Sequence, residues 1–189
     1  MNDRATTKIA FYGIFSALVF VVMFLETYVF TILIPLAPPA FLSLSLAVTL
    51  SVFGDWRNMF FGGTVFGMCS LIIAFIIGNP VFILPWISIL PRIFIGVVSF
   101  GMLKFVKMFT NKSKVKFIRK TLPYSICAIF GIITNTVLVL LVMFLSKFIG
   151  IEEVVGTFMA INFPIEIIAT MILVPIFVNA IRKYKHLGE

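Results

Sequence analysis

The chain has 189 residues, of which 61% are apolar and only 12% are charged, and its mean hydropathy is +1.18. Soluble domains carry about 45–50% apolar and about 25% charged residues, so this composition lacks the polar surface of a water-soluble globule. We therefore predict an integral membrane protein. At about 20 residues per crossing, the length accommodates six helices and short loops. We expect no additional soluble domain that binds nucleotides or performs catalysis.

The hydropathy pattern predicts an all-α fold, a six-helix membrane bundle that forms one domain over residues 1–189. In chain order, the predicted spans cover about residues 8–26, 40–53, 59–77, 87–106, 122–148 and 157–181. The helix lengths in the two halves do not match, so the sequence gives no support to the inverted repeats of many secondary carriers. The sequence thereby disfavours a self-sufficient carrier, which is kept as a further alternative.

Proline interrupts two of the predicted outer connections. The segment Ile34–Pro39 contains three prolines, and a second group of prolines lies at Pro80, Pro85 and Pro91. Proline removes a backbone donor and breaks a regular helix. Broken backbone at membrane depth is tolerated mainly where it is buried in protein or lines a cavity. We therefore predict that these two outer loops cap a pocket.

The distribution of positive charge predicts the orientation in the cell membrane. Of the fifteen Lys and Arg residues, thirteen fall in the N-terminus, the second–third turn, the fourth–fifth loop and the C-terminus. The positive-inside rule places all four segments, and thus both termini, in the cytoplasm. The same basic residues are expected to attract anionic membrane lipid. Because these charges lie between hydrophobic spans, we do not expect nucleic-acid binding.

A few polar residues lie within or beside the predicted spans, where an ionisable group is costly and usually faces a cavity or a partner. The candidate ligand-binding residues are Asn79, Trp86, Arg92, Thr134, Asn135, Asn162 and Glu166. Most of them fall on the outer half of the last three spans, beside the proline-broken loops. This convergence favours a polar pocket that opens outward.

Structural explanations of the same residues remain open. Arg92 and Glu166 would also form an ion pair that joins two helices, and Arg92 alone would also reach the outer head groups. The segment Thr134–Thr136 would also supply ordinary interhelical hydrogen bonds. Glu26 is interpreted as a charge at a helix end in the membrane interface.

Small residues form two stripes that permit close helix packing. Ala10, Gly13 and Ala17 share one face of the first span, and Gly63 and Gly67 share a face of the third. We predict that the first stripe docks against another subunit. For the second stripe we favour packing within the bundle.

No combination of residues indicates an enzyme, a metal site or a cofactor. The single histidine, His186, lies in the basic tail, and Cys69 and Cys127 lie within spans with no partner at ligand spacing. The chain has no glycine-rich phosphate loop. We therefore expect a binding or transport subunit rather than a catalyst.

Two segments give the chain a resemblance to a known family. Asn79-Pro80 and the run from Pro85 to Val98, with Pro91-Arg92 at its centre, resemble the Pro-Arg segment that opens the fourth helix of the substrate-binding S components of energy-coupling factor (ECF) vitamin transporters. The run from Gly131 to Leu140, with Thr134-Asn135-Thr136, resembles their fifth helix. The Gly13/Ala17 pair stands where that family carries two alanines.

The resemblance implies a mechanism. An S component binds a vitamin outside the cell and docks through its first helices on a transmembrane coupling subunit, which works with two cytoplasmic ATPases. Both segments are most similar to the pantothenate type. Arg92 suits a carboxylate ligand, and Asn135 and Asn162 suit hydroxyl and amide groups. Stacking on Trp86 would instead favour pyridoxine, hydroxymethylpyrimidine or folate. A non-transport six-span scaffold is the alternative outside this family.

Overall fold

The computed structural model describes residues 3–33, 40–53, 56–79, 82–112, 114–146 and 163–187. Within these ranges, all regular secondary structure is α-helical. The helices are α1 (Asp3–Leu33), α2 (Phe41–Val52), α3 (Trp56–Ile77), α4 (Pro85–Ser88), α5 (Leu90–Thr110), α6 (Lys116–Lys120), α7 (Leu122–Leu145) and α8 (Phe163–Leu187). The predicted all-α class is thus confirmed for the described part of the chain.

Five helical segments are long and apolar enough to cross a membrane. They are Ile9–Val29, Trp56–Ile77, Pro85–Thr110, Leu122–Leu145 and Phe163–Lys183. The remaining apolar helix, α2, has only 12 residues, which corresponds to about 18 Å, shorter than a hydrocarbon core of about 30 Å. A multi-pass membrane protein is confirmed, whereas the sixth crossing stays a prediction.

Helix α2 forms the centre of the bundle. Its ten residues from Ser43 to Val52 are all buried, and it packs against α1, α3, α5 and α8. Two of its buried serine hydroxyls bond to backbone carbonyls one turn earlier in the helix, whereas the Thr49 hydroxyl has no hydrogen-bond partner within the described residues. Ser45 Oγ donates to the Phe41 carbonyl over 2.5 Å, and Ser51 Oγ donates to the Ala47 carbonyl over 2.9 Å. The short helix α2 is therefore enclosed by the longer helices around it.

Glycines on α3 allow its close approach to the start of α5. A Cβ atom at Gly63 would overlap the carbonyl oxygen of Arg92, and one at Gly67 would lie 2.9 Å from the Cα of Ile89. The backbones are thus in contact, as expected for small residues at a membrane helix interface. This confirms the favoured interpretation that the Gly63/Gly67 stripe packs within the bundle.

Several predicted boundaries need correction. Helix α1 continues to Leu33, beyond the predicted end at residue 26, because Glu26 is buried and hydrogen-bonded within the protein and does not end the helix. The predicted fourth span is interrupted near its start, where α4 gives way to α5 at Ile89. Helix α7 ends at Leu145 rather than at residue 148. The Ile34–Pro39 segment and residues 157–162, where the sixth span was predicted to start, lie outside the described residues.

Candidate functional site

A cavity of about 80 Å³ lies where the ends of α1, α3, α5, α7 and α8 meet the residue before α2. Its polar lining comes from Thr27, Ser70, Asn79, Arg92, Asn135, Thr136 and Glu166. Apolar residues such as Phe66, Phe82 and Val139 complete the wall. A small number of polar groups in an otherwise apolar wall is the usual composition of a ligand site.

Arg92 is held in a fixed position in this cavity. Only 6% of its surface is exposed, and its Nη1 donates a hydrogen bond to the Ile87 carbonyl over 2.7 Å. The guanidinium also lies 5.0 Å from the ring centre of Phe82 and 5.8 Å from that of Phe66, distances at which cation–π attraction acts. Its Nε has no hydrogen-bond partner within the described structure. The cation is therefore oriented with a donor to spare.

Asn135 contributes an acceptor that is likewise unsatisfied. Its Oδ1 is buried and accepts no hydrogen bond from any described residue. A buried polar atom without a partner costs roughly 1–3 kcal/mol, so such atoms are uncommon and call for an explanation. Because Asn135 and Arg92 line the same cavity, a ligand with both an acceptor and a donor would satisfy the two atoms together.

Glu166 lines the cavity and also stabilises the start of α2. Its Oε1 accepts a hydrogen bond from the backbone N–H of Ala40 over 3.2 Å. The donors at a helix N-terminus lack partners within the helix, and negative charge there is favourable. Glu166 therefore has two positions of interest: its carboxylate binds the backbone of Ala40, just before α2, and the residue also lines the cavity.

Glu26 satisfies two backbone donors in the first turn of α2. Its two oxygens accept hydrogen bonds from Leu42 N at 2.6 Å and from Ser43 N at 2.9 Å. Only 5% of Glu26 is exposed, so the prediction of an interfacial charge at a helix end is wrong. Sequence reasoning missed this cap because Glu26 lies 16 residues before Leu42 and on another helix.

The alternative interpretation of Arg92 and Glu166, an ion pair that joins α5 and α8, is not how these residues are bonded. The hydrogen bond from Arg92 Nη1 goes to a carbonyl oxygen, and the Glu166 carboxylate receives one from an amide. Both side chains thus bond to the backbone rather than to each other. This arrangement keeps a cation and an anion in one cavity, where a ligand can contact both.

The structure brings together four of the seven predicted ligand-binding residues: Asn79, Arg92, Asn135 and Glu166. Thr134 lies outside the lining, and its hydroxyl donates to the Phe130 carbonyl over 2.7 Å. Trp86 also lies outside the lining and is 52% exposed. Asn162 lies outside the described residues.

The lining also includes residues that sequence reasoning did not select. The pocket was predicted among the last three spans, but α1 and α3 contribute Thr27, Phe66 and Ser70 to its wall. Phe66 and Phe82 are two of 23 phenylalanines in the chain, so nothing local distinguishes them. Ser70 was a usable signal, since it is a polar residue in the middle of an apolar helix.

The residues predicted to dock another subunit lie together on the surface of α1. Ala10, Gly13 and Ala17 are all exposed, and a Cβ atom at Gly13 would have nothing within 4 Å. Exposed apolar side chains, among them Ile9 and Ile14, surround the stripe. The stripe therefore differs from the Gly63/Gly67 pair, against which the backbone of α5 and of the residue before it packs. Docking at this face stays a prediction.

The described ranges contain no group of three or more His, Cys, Asp or Glu side chains placed to hold a metal ion. Cys69 and Cys127 are both buried free thiols, and no disulfide joins them. The chemistry available in the cavity is therefore that of a guanidinium, a carboxylate, amides and hydroxyls. Such groups are suited to hydrogen bonding with a polar organic molecule.

Comparison with known proteins adds one relative. No protein-family model matches the chain. No solved structure matches it either. The chain is 27% identical over 209 aligned positions to the pantothenic acid transporter PanT of Lactococcus lactis subsp. cremoris (strain MG1363), and the alignment covers 98% of this chain and 99% of that protein. The chain is therefore similar over nearly its whole length to a pantothenic acid transporter, which confirms the resemblance predicted from its sequence.

Proposed function

We propose that this chain is the vitamin-binding subunit of an ATP-driven ECF-type importer and that its ligand is pantothenate. The observation that carries the proposal is that two residues lining one cavity, Arg92 and Asn135, each have a buried side-chain atom, Nε and Oδ1, without a hydrogen-bond partner in the described structure. The full-length similarity to a pantothenic acid transporter supports the same ligand. The chain itself acts as a binding subunit, and ATP hydrolysis belongs to partner subunits.

The chemistry of the cavity fits the functional groups of pantothenate. Pantothenate carries a carboxylate at one end, two hydroxyls at the other and an amide between them. The carboxylate accepts hydrogen bonds from Arg92, whose charge strengthens them. The hydroxyls donate to Asn135 Oδ1 and to the Glu166 carboxylate. A ligand with a negative charge at one end and donors at the other thus matches a cavity that contains a fixed cation and a fixed anion.

Binding requires the cavity to enlarge. Its volume of about 80 Å³ is well below the roughly 300 Å³ at the lower end of small-molecule pockets. Ala40 and Asn79 line the cavity from different parts of the chain. We infer that the helices around the cavity separate when the vitamin enters.

The proposed arrangement in the cell membrane follows the positive-inside rule. Both termini and the basic loop face the cytoplasm, and the vitamin cavity faces outward. The exposed stripe of Ala10, Gly13 and Ala17 docks on a transmembrane coupling subunit that carries two cytoplasmic ATPases. Helix α2 completes a bundle of six membrane helices, although its short length leaves it enclosed by the others.

Ligand analysis of the purified protein tests this function. We expect mass spectrometry of the denatured protein to detect released pantothenate. Calorimetric titration of the ligand-free protein should show saturable binding of pantothenate and binding of pantothenol, its alcohol analogue, that is at least about 100-fold weaker, because a site built for a charged group rejects a ligand without it. Equal binding of the two compounds would contradict the carboxylate assignment. If the protein instead releases pyridoxine, hydroxymethylpyrimidine or folate, that vitamin is the ligand and the pantothenate assignment is wrong.

A further inference from the structure

A second, shallow cavity lies on the basic side of the bundle, away from the vitamin site. It is open to the surface and is lined by Phe117, Lys120, Thr121 and Asn179, of which all but Thr121 are exposed. These residues come from α6, the junction between α6 and α7, and the last third of α8. Lys120 supplies an ammonium, Thr121 a hydroxyl and Asn179 an amide. Together they offer donors to an anion that has several oxygen atoms.

The surroundings of this cavity are also positively charged. Arg119 is exposed next to Lys120, and Lys183 lies one helical turn after Asn179, on the same face of α8. Residues 56–151 contain no Asp or Glu, so no acidic residue of that long segment neutralises the cations. The Thr121 hydroxyl makes no capping hydrogen bond to α7. The cavity thus combines net positive charge with a hydroxyl that is not used for capping.

An exposed apolar face leads from this cavity toward the middle of the bundle. On α8, Ile165, Ile168, Ile172 and Ile176 are 43%, 58%, 52% and 54% exposed. They recur every three or four residues and continue in register to Asn179, so they share one helix face. The twelve residues from Ile168 to Asn179 span about 16 Å, about half of a hydrocarbon core of about 30 Å. That length equals one leaflet.

We propose that this cavity binds the phosphodiester head group of an anionic phospholipid, whose acyl chains lie along the isoleucine face of α8. Lys120, Thr121 and Asn179 contact the phosphate oxygens, and the nearby cations favour a net negative lipid. A free phosphate ion would leave the isoleucine face unused. A zwitterionic lipid would bring a second ammonium into a positively charged region.

Thermal unfolding of the purified protein in neutral detergent distinguishes these sources. The probes are dioleoylphosphatidylglycerol, dioleoylphosphatidylcholine with the same acyl chains, and glycerol phosphate, which has no acyl chains. We expect only phosphatidylglycerol to raise the midpoint in a saturable way, because a ligand of the folded state stabilises it. An equal rise with phosphatidylcholine would overturn the proposal in favour of a general lipid shell. An equal rise with glycerol phosphate would overturn it in favour of a free-anion site.

Variants then test whether the lined cavity is responsible. We expect Lys120→Gln to weaken the apparent affinity for phosphatidylglycerol about fivefold, the effect of one basic contact near a lipid surface. We expect Asn179→Leu to weaken it by at least about fivefold, through loss of one hydrogen bond to a charged phosphate. The matched control is Lys112→Gln, which removes the same charge from an exposed residue outside the lining and should change the affinity less than twofold. Equal losses in Lys120→Gln and Lys112→Gln would overturn the site. If a variant fails to fold, the comparison of the three probes on the unmodified protein still decides between an anionic lipid site, a general lipid shell and a free-anion site.

Discussion

The Glu166 carboxylate accepts a hydrogen bond from the backbone N–H of Ala40, 126 residues earlier in the chain. Both residues line the candidate vitamin cavity, and Ala40 directly precedes the buried helix α2. One carboxylate therefore contacts the ligand site and holds the chain where it enters the centre of the bundle. A ligand hydroxyl that donates to Glu166 shares that carboxylate with the Ala40 amide. In the proposed complex, we therefore expect occupancy of the cavity to be coupled to the position of this part of the backbone.

Glu166→Leu and Glu166→Gln separate the two roles of this carboxylate. Glutamine keeps an oxygen that can accept from Ala40, so we expect Glu166→Gln to retain stability but to bind pantothenate several-fold more weakly, because a charged hydrogen bond is stronger than a neutral one. Leucine leaves the Ala40 amide without a partner and should also cost about 1–3 kcal/mol of unfolding free energy. Unfolding in mixed micelles and calorimetric titration measure the two effects. Unchanged pantothenate affinity in both variants would exclude Glu166 from the site.

Glu26→Ala tests the other half of the cap. It removes the acceptor of two backbone hydrogen bonds, from Leu42 and Ser43, so we expect a loss of about 2–4 kcal/mol of unfolding free energy. Glu26→Gln keeps one acceptor and should lose about half as much. The control is Leu25→Ala at an exposed neighbouring position, with a change of about 0.5 kcal/mol or less. Equal stability of the Glu26→Ala protein and the unmodified protein would refute the capping role.

Gly63→Ala and Gly13→Ala make the same chemical change in two different environments. A methyl group at Gly63 collides with the Arg92 backbone, whereas one at Gly13 meets open space. We expect Gly63→Ala to destabilise the protein by about 1–3 kcal/mol and to weaken vitamin binding by displacing Arg92. Gly13→Ala should keep stability and binding intact, or raise stability slightly because alanine is the better helix former. Thermal unfolding and titration of the two variants in parallel provide the measurement.

A bulkier substitution at Gly13 tests subunit docking. If the stripe of Ala10, Gly13 and Ala17 is a docking face, a bulky Gly13→Leu substitution should abolish co-purification with a coupling subunit while pantothenate binding persists. Retained co-purification would refute the assignment of this face. A simultaneous loss of vitamin binding would show that the substitution disturbs the bundle instead.

The sequence predicts the helical class and the polar residues of the site better than it predicts contacts between helices that are distant in the chain. Arg92, Asn135 and Glu166 could be selected because polar residues are costly in an apolar span, and they do line one cavity. The roles of Phe66 and Phe82 could not be predicted, since aromatic residues are abundant in every span. The cap on α2 was also hidden, because it depends on contacts between helices that are distant in the chain. Periodicity locates helices, but it does not specify which polar atoms meet.

Arg92→Ala should remove most of the discrimination between charged and uncharged ligands. Truncating a buried charged group that pairs with a ligand typically costs about 2–5 kcal/mol, so we expect pantothenate affinity to fall at least about 30-fold. Pantothenol lacks the carboxylate and should lose far less. Arg92→Lys retains the charge but not the planar set of donors, and an intermediate loss is expected. If the ratio of pantothenate affinity to pantothenol affinity is the same in Arg92→Ala as in the unmodified protein, the guanidinium does not bind the carboxylate.

Asn135→Leu should change stability and binding in opposite directions. The Asn135 Oδ1 atom is buried without a hydrogen-bond partner in the described structure, so replacing it with an apolar group of similar size should leave the ligand-free protein equally stable or more stable. The same change removes an acceptor for the ligand and should weaken pantothenate binding about tenfold, the size of one buried hydrogen bond. Thr134→Val is the matched control, because that hydroxyl already donates to the Phe130 carbonyl and lies outside the cavity lining. We expect its pantothenate affinity to change less than twofold. A destabilised Asn135→Leu protein with unchanged affinity would identify Asn135 as a structural residue and remove it from the site.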